Sequence, residues 1–454
     1  MSKVITSSHQ SDWSGFEKAI FRIAFIYFIL QAVPFDWKYY RNLFSINWLH
    51  LQFSDIFYIS RYTPQIIGSH AASGWGLNTY IDWVVLLVLA GIGAVIWSFR
   101  EQKTLDYDKL YYWLRVIVRY RLAIGIIAYG FIKFFPLQAP FPSISNLNTP
   151  YGYFTRWKIF SLSLGIVPTY ESFLGLVEIV GGLLLLFRKT ATIGALIIVV
   201  FLGNVFFSNL AYDGGEAIYA LYLISLGLLL LSFDIIRLVN LIGFERPTQP
   251  NHFQPSLPKK WQPARLVLKS VFILFFVVIY GFKTYSAYHN DVYQFPKAAG
   301  LKDAAGFYNV SSFKLNKDTL AYSATDTSRW TNLVFEKWAT ISIAVNKPVK
   351  LDSALTEEVN YKDPERNYEL AGSTGRQYYS YVVDSVNQVL KLQNKNSNYK
   401  NDQIILHYTQ PDSTRFVLSG VEGKDSVYAV LDKIDKKYLL QEVAKKGRDK
   451  SIKL

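Results

Sequence analysis

The stretch that decides the fold class runs from Thr190 to Leu210 and reads TATIGALIIVVFLGNVFFSNL. None of its 21 residues is charged, and most are aliphatic, aromatic or small. A helix needs about 20 predominantly apolar residues to cross the hydrocarbon core of a bilayer. This stretch therefore predicts a transmembrane helix, and it excludes a purely soluble protein.

Other stretches share this character, and together they predict seven transmembrane helices. The N-terminal one is short and carries Arg22, but the bulky Phe35 and Trp37 follow it instead of the small residues of a signal-peptide cleavage site. We therefore expect a retained helix there. The predicted spans are Ala19–Phe35, Tyr80–Phe99, Leu114–Phe135, Thr169–Phe187, Thr190–Leu210, Ala217–Phe233 and Leu266–Tyr285.

The C-terminal part of the chain, residues 291–454, has the polar pattern of a soluble domain. The mean hydropathy of +0.14 for the whole chain averages two unlike parts. Short β-branched and aromatic runs, separated by polar turns, predict an antiparallel meander closed into a sandwich or a small barrel. These runs are Thr331–Val345, Arg376–Val383, Gln403–Thr409, Arg415–Val421 and Ser426–Leu431.

Lysine and arginine predict the orientation of the helices, because cytoplasmic loops carry an excess of both. With the N-terminus inside, residues 100–109, 188–189 and 237–269 form basic cytoplasmic segments. The net charge of +14 is therefore interpreted as contact with membrane lipids and not with nucleic acid. Seven crossings place the C-terminal domain on the periplasmic side, and we expect a protein of the bacterial inner membrane.

We expect four segments along the chain. Residues 1–110 form two helices joined by a long aromatic outer loop, and residues 111–243 form a four-helix membrane unit. Residues 244–290 comprise a cytoplasmic tether and the last helix, while residues 291–454 form an extracytoplasmic β-rich domain.

The chain contains no cysteine, which excludes disulfides, thiolate nucleophiles, cysteine-ligated zinc and iron–sulfur clusters. None of its six histidines lies within a predicted span, which argues against an intramembrane haem. There is no glycine-rich nucleotide loop and no metal-binding spacing of histidines. We predict no metal site.

Polar side chains within the spans are the candidate functional residues, because an ionisable group in a bilayer is costly and usually has a partner or a function. Lys133 and Glu178 fall in the outer half of the third and fourth spans. We expect them to approach each other in a polar cluster that functions in binding, or else to form a structural ion pair with Lys133 extending to the interface. The other members of the predicted cluster are Asn204, Asn209, Tyr212 and Asp213.

Three arginines, Arg115, Arg119 and Arg121, precede or begin the third span. The favoured interpretation is that they anchor the helix against anionic lipid headgroups. The alternative is specific recognition of a lipid phosphate or a quinone head group.

A set of motifs between Tyr129 and Asp213 is similar to those of a known family. The motifs are Tyr129-Gly-Phe-Ile-Lys133, Pro136-Leu-Gln138-Ala-Pro140, Tyr151-Gly152, Gly175-Leu-Val-Glu178-Ile-Val-Gly-Gly-Leu-Leu-Leu-Leu-Phe-Arg188-Lys-Thr190, Gly194-Ala-Leu, Asn204-Val and Asn209-Leu-Ala-Tyr212-Asp213. They resemble the DoxX-like integral membrane proteins, whose four-helix unit corresponds here to about residues 112–240. The whole chain resembles a longer Bacteroidetes-type variant with two helices before that unit and a further helix and an outer β domain after it.

The resemblance implies membership but no single activity. Some DoxX-like proteins are membrane subunits of thiosulfate:quinone oxidoreductase, and related thiol-redox units depend on cysteines that this chain lacks. We expect a non-catalytic membrane subunit or scaffold that binds a lipid- or quinone-like molecule or a partner membrane or envelope protein. The alternatives are a subunit of a quinone-linked oxidoreductase and a proton-coupled transporter. We expect no cofactor in the chain beyond a bound quinone or lipid.

Overall fold

The computed structural model describes residues 13–67, 80–101, 105–249, 253, 255, 258–290, 294–353 and 362–446. The chain divides into two compact units. The helical unit comprises residues 1–135 and 173–285, and the barrel unit comprises residues 136–172 and 286–454.

The helices fall mainly within the apolar part of the sequence. Their bounds are α1 Gly15–Ala32, α2 Trp37–Ser45, α3 Phe53–Ser60, α4 Ile81–Phe99, α5 Tyr107–Phe134, α6 Ile144–Leu147, α7 Arg156–Gly165, α8 Pro168–Leu185, α9 Ala191–Tyr212, α10 Ala217–Ser232, α11 Ile235–Leu238, α12 Gln262–Ile273, α13 Tyr280–Asn290 and α14 Leu439–Lys446. A π-helical turn at Leu274–Ile279 joins α12 to α13, so that Gln262–Asn290 forms one long helix.

Within the described residues, five helices are long and apolar enough to cross a membrane. They are Gly15–Ser45, Ile81–Phe99, Pro168–Leu185, Ala191–Tyr212 and Gln262–Asn290. A sixth crossing is formed if α10 and the helix that follows it, bent by 76°, count as one span. The predicted third span corresponds to the C-terminal part of α5 and to Phe135, which caps the helix. The 28 residues of α5 extend about 42 Å, but the helix carries too many charged residues to be counted among these five.

Helices α5 and α8 approach each other closely at Gly175. A Cβ atom placed on Gly175 would lie 2.3 Å from the backbone nitrogen of Phe134 and 2.4 Å from the carbonyl oxygen of Gly130. Only glycine fits so close to a neighbouring backbone, as is common where membrane helices pack. This contact lies within one turn of Lys133 on α5 and of Glu178 on α8.

We predict that Gly175→Ala destabilises the helical unit, because the added methyl group would collide with the backbone of α5. Overpacking of this kind costs about 1–3 kcal/mol. The matched control is Gly203→Ala, since no heavy atom lies within 4 Å of the corresponding position on α9. The measurement is the midpoint of thermal unfolding in detergent, and equal midpoints for the two variants would contradict the α5–α8 contact.

The barrel unit is built on an eight-stranded antiparallel β-barrel. Strands follow one another as neighbours, and β1 also pairs with β9, which closes the sheet. The two-residue strand β2 forms only a hairpin with β1. The bounds are β1 Gly306–Leu315, β2 Asp318–Thr319, β3 Trp330–Phe335, β4 Thr340–Val345, β5 Gln377–Asp384, β6 Val389–Asn394, β7 Gln403–Asp412, β8 Arg415–Glu422 and β9 Asp425–Ile434.

The closed barrel decides between the two predicted β architectures. The predicted run Thr331–Val345 is divided into β3 and β4 by a turn, while β1 and β6 have no counterpart among the predicted runs. The interior is filled by side chains from every strand of the barrel, including Tyr308, Trp330 and Phe416. A filled interior is usual for a barrel of this size.

Segment 136–172, which connects α5 to α8, folds with the barrel. Ile144 and Ser145, at the start of α6, donate backbone hydrogen bonds to the Glu336 carboxylate at 3.2 and 2.7 Å. Further along the segment, Thr155 donates to the carbonyl of Gly372 at 2.8 Å. From the sequence we expected this segment to belong to the four-helix unit of residues 111–243, whereas the structure groups it with the C-terminal domain.

Because α6 is bonded to the buried Glu336 carboxyl, we expect the stability of segment 136–172 to depend on pH. Burial raises the pKa of the Glu336 carboxyl above its ordinary value of 4.5, and the hydrogen bonds from Ser145 offset only part of the rise. The folded state therefore binds more protons than the unfolded chain between the two pKa values. In that window, stability falls as pH rises.

We predict that hydrogen exchange at α6, corrected for the intrinsic rate, becomes faster as the pH rises above about 4.5, because an increasing fraction of Glu336 is then ionised in a buried site. Glu336→Gln should remove this dependence. Glu365→Gln, at an exposed position of the same unit, should leave it unchanged. An identical pH response in wild type and Glu336→Gln would show that another group is responsible.

Candidate functional site

One face of α5 carries polar or small residues at every fourth position. These are Arg121, Gly125, Tyr129 and Lys133. Residues four apart lie on the same side of a helix, so this face extends about 18 Å along α5. All four residues are buried, and the face is therefore turned into the helical unit. Of these four residues, only Arg121 and Lys133 were candidate site residues from the sequence.

Lys133 and Glu178 are brought together as a buried ion pair. The Lys133 Nζ lies 2.5 Å from Glu178 Oε1, and the exposed fractions of the two side chains are 10% and 1%. The other carboxylate oxygen, Glu178 Oε2, is buried and accepts a hydrogen bond from no described residue. The Lys133 Nζ also lies 5.8 Å from the centre of the Tyr129 ring, close enough for a cation–π contact.

A second ion pair lies on the other side of Tyr129. Arg61, which follows α3, forms an ion pair with Glu216, the residue before α10. The Tyr129 hydroxyl donates to the second oxygen of the same carboxylate, Glu216 Oε2, at 2.9 Å. Tyr129 thus connects two ion pairs, one through its ring and the other through its hydroxyl.

Tyr219 completes the arrangement. Its ring centre lies 5.2 Å from that of Tyr129 and 6.0 Å from the Arg61 guanidinium. Its hydroxyl is buried and has no hydrogen-bond partner among the described residues. A Cβ atom on Gly125 would lie 2.7 Å from this hydroxyl, so the glycine on α5 leaves the space that Tyr219 occupies.

We refer to Arg61, Tyr129, Lys133, Glu178, Glu216 and Tyr219 as the Tyr129 cluster. Four of its members, Arg61, Tyr129, Glu216 and Tyr219, had been assigned no site role. The one sequence signal that could have identified a member is the four-residue spacing of Tyr129 from Lys133. Arg61 and Glu216 are 155 residues apart, and neither carries a local sign of its partner.

Arg121 lies at the other end of the polar face. It is 6% exposed, and its guanidinium donates to the carbonyl of Tyr62 and, at 3.2 Å, to the hydroxyl of Tyr222. That hydroxyl in turn donates to the carbonyl of Gln31 at 2.8 Å. The expected contact with lipid headgroups is therefore wrong for Arg121, because its side chain projects into the unit.

Arg115 and Arg119 lie elsewhere on α5 and are only partly exposed. The Arg115 guanidinium stacks 3.3 Å above the Phe233 ring, and that of Arg119 lies 5.4 Å from the Tyr120 ring. These two arginines remain candidates for contact with an anion.

The other residues of the predicted cluster lie apart from the Lys133–Glu178 pair or contact it only indirectly. Asn204 is exposed on α9, and Tyr212 is exposed at the end of that helix. Asp213 ends α9 in the left-handed conformation, with φ of 55°. Asn209 accepts a hydrogen bond from the backbone of Glu216 at 3.2 Å, so it stabilises the turn that positions this carboxylate.

Metal binding receives no support from the geometry. Among the described residues there is no group of three histidine, aspartate or glutamate side chains that could hold a metal ion. The sequence also contains no cysteine.

Comparison with known proteins identifies no relative. No family model, no curated protein and no solved structure matches this chain. The resemblance to DoxX-like proteins therefore remains a prediction from the motifs.

The Tyr129 cluster can hold charge in an apolar environment and can exchange hydrogen bonds with a polar group. Each carboxylate has a cation beside it, which limits the cost of burying both. Glu178 Oε2 is an available acceptor and the Tyr219 hydroxyl is an available donor. Buried polar groups without partners are uncommon, and each one calls for an explanation such as an unseen ligand or water.

We predict that Lys133→Met destabilises the protein by about 3–5 kcal/mol, because it leaves the Glu178 carboxylate buried without a counter-charge. The double variant Lys133→Met/Glu178→Met should recover most of this loss. The control is Lys109→Met, which breaks an exposed pair with Asp106 worth about 0–1 kcal/mol. Stability is measured by thermal unfolding in detergent, and a double variant no better than the single one would contradict the pair.

Proposed function

We propose that this chain is a non-catalytic membrane protein of the cell envelope whose helical unit binds the polar head of a lipid- or quinone-like molecule at the Tyr129 cluster. The observation that carries the proposal is the pair of buried groups without partners, Glu178 Oε2 and the Tyr219 hydroxyl. In the proposed role the barrel unit contacts a partner membrane or envelope protein.

The chemistry of the cluster favours an amphipathic ligand with a small polar head. A carbonyl oxygen of the ligand would accept from the Tyr219 hydroxyl, and a hydroxyl group would donate to Glu178. The aromatic rings of Tyr129 and Tyr219 offer flat apolar surfaces beside these groups. Ligand sites of this kind combine apolar walls with a few positioned polar groups.

The proposed topology has seven spans, with α5 as the third. In this topology segment 136–172 and residues 286–454, which belong to one unit, lie on the same side of the membrane. Between them the chain passes through α8, α9, α10 and the Gln262–Asn290 helix. Four crossings return the chain to the side it left, and the excess of basic residues in the opposite loops makes that side periplasmic. The membrane is then the bacterial inner membrane.

Membership of the DoxX-like family is part of the same proposal. Its motifs include Lys133, Glu178 and Asn209, and these residues form the ion pair and the turn beside Glu216. A place as a membrane subunit in a quinone-linked complex would follow if the bound molecule were a quinone.

A second candidate function is proton-coupled transport. It is favoured by a chain of contacts that connects the carboxylates of Glu178 and Glu216. Glu178 contacts Lys133, whose Nζ lies beside the Tyr129 ring, and the Tyr129 hydroxyl is bonded to Glu216. In proteoliposomes this candidate requires a proton flux that Glu178→Gln abolishes.

The proposal is tested by extracting the full chain in a mild detergent and identifying bound lipids and quinones by mass spectrometry. We predict that wild type retains one class of amphipathic molecule and that Tyr219→Phe retains roughly tenfold less, because a buried hydrogen bond is lost. Glu178→Gln should reduce retention as well.

The matched control is Tyr212→Phe, which removes the same hydroxyl from an exposed tyrosine of the same unit. It should retain the ligand as wild type does. If wild type retains no specific molecule, or if Tyr219→Phe retains as much as Tyr212→Phe, the proposal is wrong.

A further inference from the structure

A second group of charged residues in the helical unit consists of cations. Arg115 and Arg119 on α5, Arg188 in the turn between α8 and α9, and Lys269 on α12 form what we call the Arg115 cluster. Arg188 repels both Arg115 and Arg119 electrostatically, and Arg119 repels Lys269. Three separate elements thus bring like charges together.

Two donors in this cluster have no acceptor. The Nε atoms of Arg115 and Arg119 are both buried, and no described residue accepts a hydrogen bond from either. A guanidinium N–H that is buried without a partner costs free energy, and the cost is larger for a charged group than for a neutral one. An anionic acceptor between α5 and its neighbours would satisfy both donors.

Aromatic rings hold these cations in place. Arg115 lies over the Phe233 ring at 3.3 Å, and the Lys269 Nζ lies 4.0 Å from the centre of the Phe187 ring. Cation–π contacts orient the charged groups without neutralising them. The positions of the cations are therefore set before any anion binds.

The acidic side chain that faces the cluster is already engaged. Asp234 attracts Arg115 electrostatically, but its carboxylate accepts a hydrogen bond from Thr192 Oγ1 at 2.6 Å and lies 3.9 Å from Arg237. Arg265 adds a further positive charge beside Lys269. Asp234 is therefore shared with Thr192 and Arg237 and does not serve Arg115 alone.

We propose that the Arg115 cluster binds the phosphate group of an anionic phospholipid. Guanidinium groups match phosphate oxygens in charge and in hydrogen-bond geometry. The apolar side chains on the same elements favour a lipid over a free phosphate compound, because Ile117 on α5 and Leu268 and Val271 on α12 are exposed and available to acyl chains. This inference is independent of the Tyr129 cluster.

The test uses the full chain in detergent, titrated with phosphatidylglycerol and observed by native mass spectrometry. Parallel titrations with phosphatidylcholine and with inorganic phosphate distinguish an anionic lipid from a zwitterionic one and from a free anion. We expect wild type to bind one phosphatidylglycerol more tightly than phosphatidylcholine, and inorganic phosphate at millimolar concentration to compete poorly.

The variant Arg115→Gln/Arg119→Gln should weaken phosphatidylglycerol binding roughly tenfold or more, since two charged donors are lost. The control Arg100→Gln/Arg246→Gln removes the same charge from two exposed arginines of the helical unit and should bind as wild type does. Arg115→Lys/Arg119→Lys keeps the charge but lacks the Nε donors. Its affinity for phosphatidylglycerol should therefore be lower than that of wild type and higher than that of the glutamine variant. The comparison with wild type tests the inference even if the glutamine variant folds poorly.

Three results would overturn the inference. The first is an equal loss of phosphatidylglycerol binding in the Arg100→Gln/Arg246→Gln control, which would mean that only the overall charge matters. The second is equal binding of phosphatidylcholine and phosphatidylglycerol. The third is displacement of the lipid by inorganic phosphate at similar concentrations, which would make the ligand a free phosphate compound.

Discussion

A charged side chain inside an apolar helical unit needs a counter-charge or a hydrogen-bond partner, and this constraint organises α5 and the elements packed on it. Three cations of the unit each connect different segments. Lys133 joins α5 to α8, Arg121 joins α5 to α10 and to the segment after α3, and Arg61 joins that segment to the start of α10. The polar face of α5 therefore determines which helices can pack around it. The same face supplies side chains that could bind a small molecule.

The barrel unit follows a different principle, because its stability comes from a core of large apolar and aromatic side chains. Polar partners also contribute, for example where segment 136–172 contacts β4. There Glu336 accepts the backbone hydrogen bonds of α6, and Ser145 contacts Ser342 through their hydroxyl groups at 2.7 Å. This same segment leaves α5 just after Lys133 and returns to α8 just before Glu178. The segment that connects the two helices of the ion pair is therefore part of the barrel unit.

Most buried polar groups in the two units have partners, so those without one indicate where another molecule would bind. In the helical unit they include the groups of the two proposed sites, which are of two kinds. The Tyr129 cluster has an available acceptor and an available neutral donor, whereas the Arg115 cluster has two charged donors. The first arrangement suits the polar head of a neutral amphipathic molecule, and the second suits an anion. The two proposed sites therefore differ in ligand chemistry as well as in position.

Sequence alone was sufficient for features that depend on residues close together in the chain. The apolar stretch Thr190–Leu210 predicts α9, and the alternating runs near the C-terminus predict an antiparallel meander. The pairing of Lys133 with Glu178 could be anticipated because a buried acid and a buried base at matching depths attract each other. Lys133 and Glu178 do lie together, but Asn204 does not join them because its side of α9 is exposed.

Tertiary structure decided what depends on residues far apart in the chain. The pairing of β1 with β9 distinguishes the barrel from a sandwich, and the pairing of Arg61 with Glu216 depends on how the segment after α3 docks against α5. Arg115 and Arg121 look alike in sequence, yet only Arg121 lies on the polar face with Tyr129 and Lys133. The physical reason is that charge and periodicity are local properties, whereas the partner that a buried group finds is fixed only when distant segments pack around it.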